Sequence, residues 1–196
     1  MPAITLSRTL GSLGTEIARS LADGLGYRMM WREVINEAAC RACTPEVALA
    51  VIDDLGLLGL RPSGKAQRAY LQSVRQVIEQ LVAEGGVIIV GRAGQIILRG
   101  YPNVLHVRIT APLALRIERV AARHTISAAA ATARVESSDR TRSTYVQRHY
   151  HVDWNGPKLY DLVINTETIP VQLARDLIAR IWEQRVQTAS TSPSPS

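Results

Sequence analysis

The sequence has no long apolar segment of the kind that crosses a membrane. None of its apolar runs is long enough to span a bilayer. Its first residues also lack the basic segment and apolar core that are typical of an export signal. From these two absences we expect a cytoplasmic protein with no membrane partner.

Phenylalanine is absent and cysteine is scarce. Without Phe, the side chains of Leu, Ile, Val and Ala must form the hydrophobic core. The two cysteines, Cys40 and Cys43, form one C-x-x-C motif, which can be redox-active or half of a zinc site. No second pair of cysteines follows, so we favour two reduced thiols on one helix over a metal site.

Positive charge, in contrast, is in excess. The 196 residues carry a formal net charge of +6, and 46% of them are hydrophobic while 20% are charged. This composition predicts a globular domain with a sizeable core. The charge favours a partner rich in phosphate, either a nucleotide or a nucleic acid, but does not choose between them.

The first 25 residues have the pattern of a phosphate-binding loop. A short apolar strand at 4–6 precedes a glycine-rich turn, and a helix with apolar residues at spacings of three and four follows. Backbone N–H groups of such a turn, together with the helix N-terminus, can bind phosphate. An ordinary strand-to-helix turn, with Ser12 or Thr15 as the helix cap, is the alternative. The turn comprises Gly11, Ser12, Leu13, Gly14 and Thr15.

Strands and helices alternate along the rest of the chain. Apolar runs predict buried strands at 87–90, 104–109 and 162–165, and this order indicates a three-layer α/β/α fold with a parallel sheet. Residues 187–196 are rich in Ser, Thr and Pro and are expected to form a disordered tail. We divide one domain, 1–186, into a core (1–27, 86–123 and 158–186), a helical lobe (28–85) and an Arg-rich lid (124–157).

Local patterns predict further details of these segments. Thr44 and Pro45 are typical of a helix start, and the glycines and proline in 55–64 indicate a hinge. The lobe that contains them could cover a substrate or could bind a partner protein. In the last helix, four apolar side chains are expected to pack against the core: Leu173, Leu177, Ile178 and Ile181.

Arginines are concentrated in the second half of the chain. Arg116, Arg119 and Arg123 lie on one helix face, which could either contact solvent or bind a triphosphate. The Arg-rich residues 124–152 could close over a phosphoryl group or bind a nucleic acid backbone. Arg92 follows a buried strand at its C-terminal end, where open α/β sheets bind ligands.

Taken together, these segments resemble the cytidylate kinase-like family of the P-loop nucleoside monophosphate kinases. The resemblance implies a P-loop kinase-like fold and transfer of phosphate from ATP to a nucleoside monophosphate, with CMP or dCMP as the preferred acceptor and Mg²⁺ as the cofactor. It covers nearly the whole chain and depends on six short stretches in order: 4–18, 87–94, 102–109, 116–119, 139–142 and 160–166.

The resemblance also implies where the substrates bind. The phosphates of ATP would lie on residues 11–15, and Thr15 would be a ligand of Mg²⁺. Arg92 would hold the phosphate of the acceptor. Arg116 and Arg119 would bind phosphate from the helix that leads into the lid.

By the same resemblance, the lid would carry catalytic residues. Arg140 and Arg142 would neutralise the transferring group, and Asp139 would orient them. Such a lid suits phosphoryl transfer, because this reaction asks a protein mainly for positioning and charge neutralisation.

Three positions depart from the pattern of the family. The loop has no lysine, Val90 replaces an aspartate before the Gly-Arg pair, and Trp31 lies where related sequences often have an acid. We hypothesise that Arg8, which is the cation nearest to the loop, takes the place of the lysine and has a catalytic role.

Other functions are compatible with these departures. The missing lysine and aspartate favour a nucleotide-binding sensor or scaffold that has lost catalysis. The basic composition and the Arg-rich segment favour a nucleic-acid-binding module, which we consider the least supported of the three. The sequence leaves the choice of base open. It also leaves open the oligomeric state, for which a homodimer is one option.

Overall fold

The structure is a computed structural model that describes residues 2–42 and 64–191. Its centre is a sheet of five parallel strands in the order β2-β3-β1-β4-β5. Helices cover both faces of this sheet, which confirms the predicted three-layer α/β/α fold. The strands are β1 (Ala3–Arg8), β2 (Arg28–Met30), β3 (Val87–Val90), β4 (Val104–Thr110) and β5 (Leu162–Asn165).

Seven α-helices lie in the described ranges, together with a short 3₁₀ helix at Pro157–Leu159. None of these helices is long and apolar enough to span a membrane. The helices are α1 (Gly14–Leu25), α2 (Arg32–Ala42), α3 (Gly64–Glu84), α4 (Gly94–Ile97), α5 (Leu113–His124), α6 (Ala128–Tyr150) and α7 (Val171–Thr191).

The alternation of side chains along β1 divides the core into two layers. Ile4 and Leu6 point to the layer under α1 and α7, while Ala3 belongs to the layer under α2 and α3. Strand β3 is buried on both faces, as is typical of a central strand in a parallel sheet. Because all five strands are parallel, their C-terminal ends meet at one edge of the sheet, where ligands of such folds bind.

The last helix packs through a different face from the one that the sequence predicts. Ala174, Ile178 and Trp182 are buried, whereas three of the four residues expected to pack there are 37–49% exposed: Leu173, Leu177 and Ile181. The reason is the bulky indole of Trp182, which fills the space over the sheet and donates a hydrogen bond to the Tyr27 hydroxyl at 3.1 Å.

This helix also continues beyond its predicted end. It reaches Thr191, so residues 187–191 of the expected disordered tail are helical. The hydroxyl of Thr188 donates to the carbonyls of Gln184 and Arg185, and these bonds keep a β-branched polar residue within the helix. The remaining residues of the tail, 192–196, lie outside the described ranges.

Several predictions for the lobe also fall outside these ranges. They concern Cys43, the helix start at Thr44 and Pro45, and the hinge up to residue 63. Cys40 lies on α2 and is exposed.

The predicted lid is mainly one continuous helix, α6. The Ser127 hydroxyl caps it by accepting a hydrogen bond from the backbone N–H of Ala130 at 3.2 Å. Its N-terminal half packs against α5 through a small cluster that contains Val120, Ala131 and Val135. The two helices therefore form a hairpin, which places the second half of α6 beside the helical lobe.

Candidate active site

The loop between β1 and α1 has the geometry of an anion-binding nest. Gly11 and Leu13 have positive φ angles of 82° and 61°, and Ser12 between them does not. This alternation turns successive N–H groups toward one side. In the described part of the chain, no group accepts a hydrogen bond from the N–H of Gly11, Leu13, Gly14 or Thr15. Four donors are therefore available at the N-terminus of α1, where the helix dipole also favours an anion.

Ser12 does not take part in this nest as predicted. Its side chain is fully buried, and its hydroxyl donates to the carbonyl of Thr9 at 2.8 Å. The backbone N–H of Ser12 donates to the same carbonyl at 3.4 Å. Ser12 is thus neither the helix cap nor a free phosphate donor, because both of its donors stabilise the loop itself.

Two glycines of the loop are required by close contacts. A Cβ atom on Gly11 would lie 2.6 Å from the carbonyl oxygen of Arg116, and one on Gly14 would lie 2.6 Å from the Cβ of Arg8. Real Cβ atoms are not found at such distances from their neighbours. Any side chain at either position would therefore displace the loop, which explains why both positions are glycine.

Arg116 positions the loop instead of binding phosphate, contrary to the prediction. Its guanidinium is buried and forms an ion pair with the carboxylate of Asp139 at 2.8 Å. It also donates to the carbonyls of Ala111 at 3.0 Å and Leu10 at 3.4 Å. All of its charge is used within the protein, so a triphosphate would have to displace these partners.

Arg119 has a similar role on the other side of the loop. It donates to the Thr166 hydroxyl and carbonyl, both at 2.9 Å, and to the Gly11 carbonyl at 3.4 Å. Thr166 in turn donates to the carbonyl of Ser12 at 3.1 Å. The arginine row predicted to bind phosphate therefore holds the carbonyls of the loop, and this leaves the N–H groups of the nest for a ligand. The third member, Arg123, pairs with Glu16.

Arg8 reaches from the loop toward the end of the neighbouring strand. Its guanidinium lies over the ring of Trp31, 5.2 Å from the centroid. A Cβ on Gly91 would be 3.0 Å from its Nη1 atom. The charge is therefore held at the C-terminal end of β3, next to the segment that contains Arg92.

The turn that carries Arg92 is strained. Gly91, Arg92 and Ala93 have consecutive positive φ angles of 81°, 54° and 54°. Such angles cost a non-glycine residue about 1–3 kcal/mol, and they concentrate at functional sites. The guanidinium of Arg92 forms no hydrogen bond or ion pair with any described residue. A strained turn thus presents, at the edge of the sheet where ligands bind, a cation that pairs with no described residue.

The charge of Arg92 acts on the ionisation of two tyrosines that the sequence does not single out as functional. Tyr70 of α3 is only 1% exposed, and its hydroxyl has no hydrogen-bond partner among the described residues. Burial raises the pKa of Tyr70 to about 12, and the nearby charge of Arg92 opposes the rise. The hydroxyl of Tyr145 of α6 is also buried, and the Tyr150 side chain is its neighbour. Burial raises its pKa, as does Tyr150, while Arg92 acts in the opposite direction.

The predicted lid arginines do not lie together. Helix α6 is continuous through Arg140 and Arg142, and side chains two positions apart on a helix do not face each other. Arg142 lies on the face that carries Tyr145, whereas Arg140 is exposed. Asp139 forms its ion pair with Arg116, so the prediction that it orients these two arginines is not what the structure shows.

The residues present fit the phosphates of a nucleotide better than they fit a complete metal site. The nest supplies N–H donors, and the Thr15 hydroxyl is available as a ligand of Mg²⁺. In the described ranges, no group of three or more His, Cys, Asp or Glu side chains could hold a metal ion. Mg²⁺ would therefore be coordinated by Thr15, phosphate oxygens and water, which is a common arrangement for this ion.

A buried arginine beneath the site also escapes sequence reasoning. Arg108 of β4 is 6% exposed and lies against the ring of Trp154, 4.2 Å from the centroid. It donates to the Trp154 carbonyl at 2.9 Å and to Asn155 Oδ1 at 2.7 Å. Since Trp154 also donates to the Ser7 hydroxyl at 3.0 Å, this network ties the segment after α6 to the sheet. An arginine in an apolar strand is the signal that could have indicated it.

Comparison with known protein families identifies one to which the chain belongs. A model of the cytidylate kinase-like family matches residues 3–168. The chain is 26% identical over 181 residues to a cytidylate kinase of Ignicoccus hospitalis, with 92% of this chain and 99% of that protein covered. It is also 26% identical over 154 residues to a uronate isomerase of Corynebacterium glutamicum, a match that covers 79% of this chain. The match spans only 29% of the isomerase's own length.

Solved structures show the same fold. A protein of Eubacterium ventriosum superposes with a TM-score of 0.73 at 20% identity, covering 93% of this chain and 99% of the other. A gluconokinase of Sinorhizobium meliloti superposes with a TM-score of 0.57 at 14% identity, covering 95% and 97% respectively. These likenesses extend over nearly the whole chain, and they show that its three-layer fold is shared with these proteins.

Proposed function

The chain belongs to the cytidylate kinase-like family, and on this premise we propose that it transfers the γ-phosphoryl group of ATP to a nucleoside monophosphate, with CMP or dCMP as the preferred acceptor. One observation carries the proposal. The nest at 11–15 follows β1, and Arg92, which pairs with no residue that the structure describes, follows β3; these two strands are adjacent and parallel. Adjacent strands lie about 5 Å apart, so two anions could be held side by side at this edge.

Each group then has a defined part in the transfer. The N–H donors of the nest hold the phosphates of ATP, and Arg92 holds the acceptor's phosphate. An oxygen of the acceptor's phosphate attacks the γ-phosphorus, and the bond from that phosphorus to the β–γ bridging oxygen breaks. ADP and a nucleoside diphosphate are the products. Bound Mg²⁺ would neutralise part of the phosphate charge.

Arg8 supplies the cation that the loop lysine provides in a complete P-loop. A guanidinium stays charged at every physiological pH and can bind two phosphate oxygens at once. Its contact with Trp31 and its approach to Gly91 keep it between the nest and Arg92. A cation there would neutralise charge on the transferring group.

A second candidate function is a nucleotide-binding sensor or scaffold without catalysis. It is favoured by Val90, which cannot help to hold Mg²⁺, and by the lack of an acidic metal cluster within the described residues. This candidate predicts nucleotide binding without turnover. The two candidates therefore differ only in whether the bound phosphoryl group is transferred, which can be measured.

The test is a phosphoryl-transfer screen with Mg²⁺ and ATP against CMP, dCMP, UMP, AMP and GMP, with direct detection of the diphosphate. The Thr15→Val protein, which loses only a hydroxyl, is the control for contaminating kinases. Transfer to CMP or dCMP that falls in this variant supports the kinase. If ATP raises the melting temperature and no acceptor is phosphorylated, the sensor is the better description. Absence of both effects would contradict both candidates.

A further inference from the structure

A cavity of about 260 Å³ lies at the opposite end of the sheet from the candidate active site. Its walls come from residues 99–102 before β4, from the segment that leads into β5, and from Arg185 in the last third of α7. Val104 and His106, in the first half of β4, form its floor. Because the strands are parallel, the cavity is at their N-terminal ends, whereas the nest follows their C-terminal ends.

Hydrogen bonds connect the elements around this cavity. One carboxylate oxygen of Asp161 accepts from Arg185 Nη1 at 2.9 Å and from the backbone N–H of His106 at 2.8 Å. Gln95 Nε2 also donates to the Tyr160 hydroxyl at 3.4 Å. All five residues line the cavity. The cavity is therefore held open by contacts within the protein and is already formed before a ligand binds.

The side chains around the cavity have an excess of positive charge. Arg99, Lys158 and Arg185 are cations, and Asp161 is the one carboxylate among the described residues of the lining. Burial lowers the pKa of His106, so this histidine adds no charge at neutral pH. Three cations and one carboxylate leave the lining with a net charge of +2.

Two of these cations are not used within the described parts of the chain. The side chains of Arg99 and Lys158 are exposed, and neither forms a hydrogen bond or ion pair with a residue in 2–42 or 64–191. A single solvated lysine on a flat surface is ordinary. Like charges around one concave site, however, repel each other and concentrate their field on the space between them. The arrangement therefore indicates a site for an anion.

We propose that this cavity binds a phosphate monoester of about the size of a sugar phosphate, at a site separate from the one for nucleotides. A phosphate monoester carries about −1.5 to −2 charges at neutral pH, which the lining complements. Its three terminal oxygens match three cations that come from three different segments. The inference does not depend on the proposed function.

The size of the cavity and an aromatic side chain favour a small organic ester. Pockets for drug-sized ligands are roughly 300–1,000 Å³, so this cavity suits a smaller molecule. Tyr101 is 40% exposed and lines the same cavity. Its ring can pack against the carbon skeleton of a sugar, while its hydroxyl remains in contact with water.

The test is an NMR titration of the full chain with ribose 5-phosphate, with ribose, inorganic phosphate and malonate in parallel. Shifts of the backbone amides report both the affinity and the position of the ligand. We expect ribose 5-phosphate to shift the amides of Tyr101, His106 and Asp161. Ribose should cause no shift. Inorganic phosphate, which lacks the sugar, and malonate, which lacks a phosphate, should bind more weakly.

Arg99→Gln and Lys158→Gln, singly and together, remove the two unpaired charges. Each single change should weaken ribose 5-phosphate binding about 3-fold or more and the double variant about 10-fold or more, as for partly exposed hydrogen bonds to a charged group. The matched control is Lys65→Gln with Arg180→Gln, because both side chains are exposed outside the cavity and the total charge changes equally. It should keep the wild-type affinity. The melting temperature of the free double variant should not fall, because like charges have been removed.

Several results would overturn the inference. These are no shift at millimolar ribose 5-phosphate, shifts confined to Gly11 and Gly14 of the nest, or an equal loss of affinity in the control pair. Equal affinity for inorganic phosphate or malonate would overturn the assignment to a phosphate monoester. The kinase screen is independent: shifts at the cavity without phosphoryl transfer would support the inference alone, and transfer without these shifts would support only the kinase.

Discussion

The guanidinium of Arg8 lies 5.2 Å from the ring centroid of Trp31 and approaches Gly91, so its charge is fixed at the end of β3. Cation–π contacts of this kind are worth about 0.5–2 kcal/mol. They also restrict a long side chain that would otherwise sample many rotamers. Trp31 thus helps to position the cation that we assign to catalysis.

Replacement of Arg8 should affect turnover strongly. We expect Arg8→Ala to lower kcat about 100-fold or more, in the range found when one transition-state donor is removed. Arg8→Lys keeps the charge without the planar fork and should give an intermediate rate. Arg19→Ala, an exposed position on α1, is the control. Steady-state kinetics with CMP and ATP would measure this, and an Arg8→Ala protein with wild-type kcat would rule out the assignment.

The ion pair between Arg116 and Asp139 should matter for both stability and ATP binding. The 2.8 Å contact joins α5 to α6, and the same guanidinium donates to the Leu10 carbonyl in the loop. Asp139→Asn leaves a buried cation without its counter-charge, so we expect the free energy of unfolding to fall by about 2–3 kcal/mol. Urea denaturation would measure this loss.

A kinetic readout distinguishes loop positioning from general instability. Because Arg116 holds the loop, Asp139→Asn should raise the KM for ATP more than that for the acceptor. Glu118→Gln, an exposed change on the same helix as Arg116, should alter neither stability nor KM. Equal changes in both KM values would contradict a specific effect on the loop.

The fold could be predicted largely because its signals are local. Uninterrupted apolar runs produced the strand bounds of β3 and β5 without error. In β3 the reason is that a strand buried on both faces needs no alternation. Gly11 and Gly14 indicated the loop for a similar reason, since close backbone contacts exclude other residues. These features depend on neighbours in the sequence or on one tightly packed contact.

The functional details depended on partners that are distant in sequence. Periodicity placed Arg116 and Arg119 on one face. It did not show that their guanidinium groups would donate hydrogen bonds to loop carbonyls, or that Arg116 would form an ion pair with Asp139. From its sequence position, Tyr70 is predicted to be an ordinary core residue. The charges that act on its hydroxyl come from Arg92 and Tyr145, which are far away along the chain. In α7, two apolar faces competed, and only the fit of an indole over the sheet decided between them.

Two features require a glycine at position 11: its positive φ angle and the close approach of the Arg116 carbonyl. A matched pair of substitutions can separate their effects. Gly11 and Gly26 both have positive φ, at 82° and 64°, but a Cβ on Gly26 would meet nothing within 4 Å. Gly26→Ala therefore reports the backbone strain alone, about 1–2 kcal/mol. Gly11→Ala adds the collision with the Arg116 carbonyl, so it should cost more stability. It should also abolish ATP-induced stabilisation, which Gly26→Ala should retain. Thermal unfolding with and without ATP would test this.

The last prediction concerns His106, which is buried in the sheet and bonded through Nδ1 to the Thr5 hydroxyl at 2.8 Å. Burial lowers its pKa, with a further lowering from Arg185 and an opposing effect from Asp161. The folded protein therefore takes up this proton at a lower pH than the unfolded chain does. As pH falls below about 6.5, the unfolded state binds more protons and stability decreases.

The contribution of neutral His106 to the free energy of unfolding should be fully present above pH 6.5. It should be lost progressively as the pH falls toward the lowered pKa of His106. The slope for one such group is at most about 1.4 kcal/mol per pH unit. His106→Asn keeps an acceptor near Thr5 but cannot titrate, so its free energy of unfolding should vary less between pH 7.5 and 5.5. His124→Asn, at an exposed position, should keep the wild-type slope. His149, whose pKa burial also lowers, would supply part of the slope that remains. Identical slopes in wild type and His106→Asn, measured by urea denaturation, would show that burial does not hold this histidine neutral.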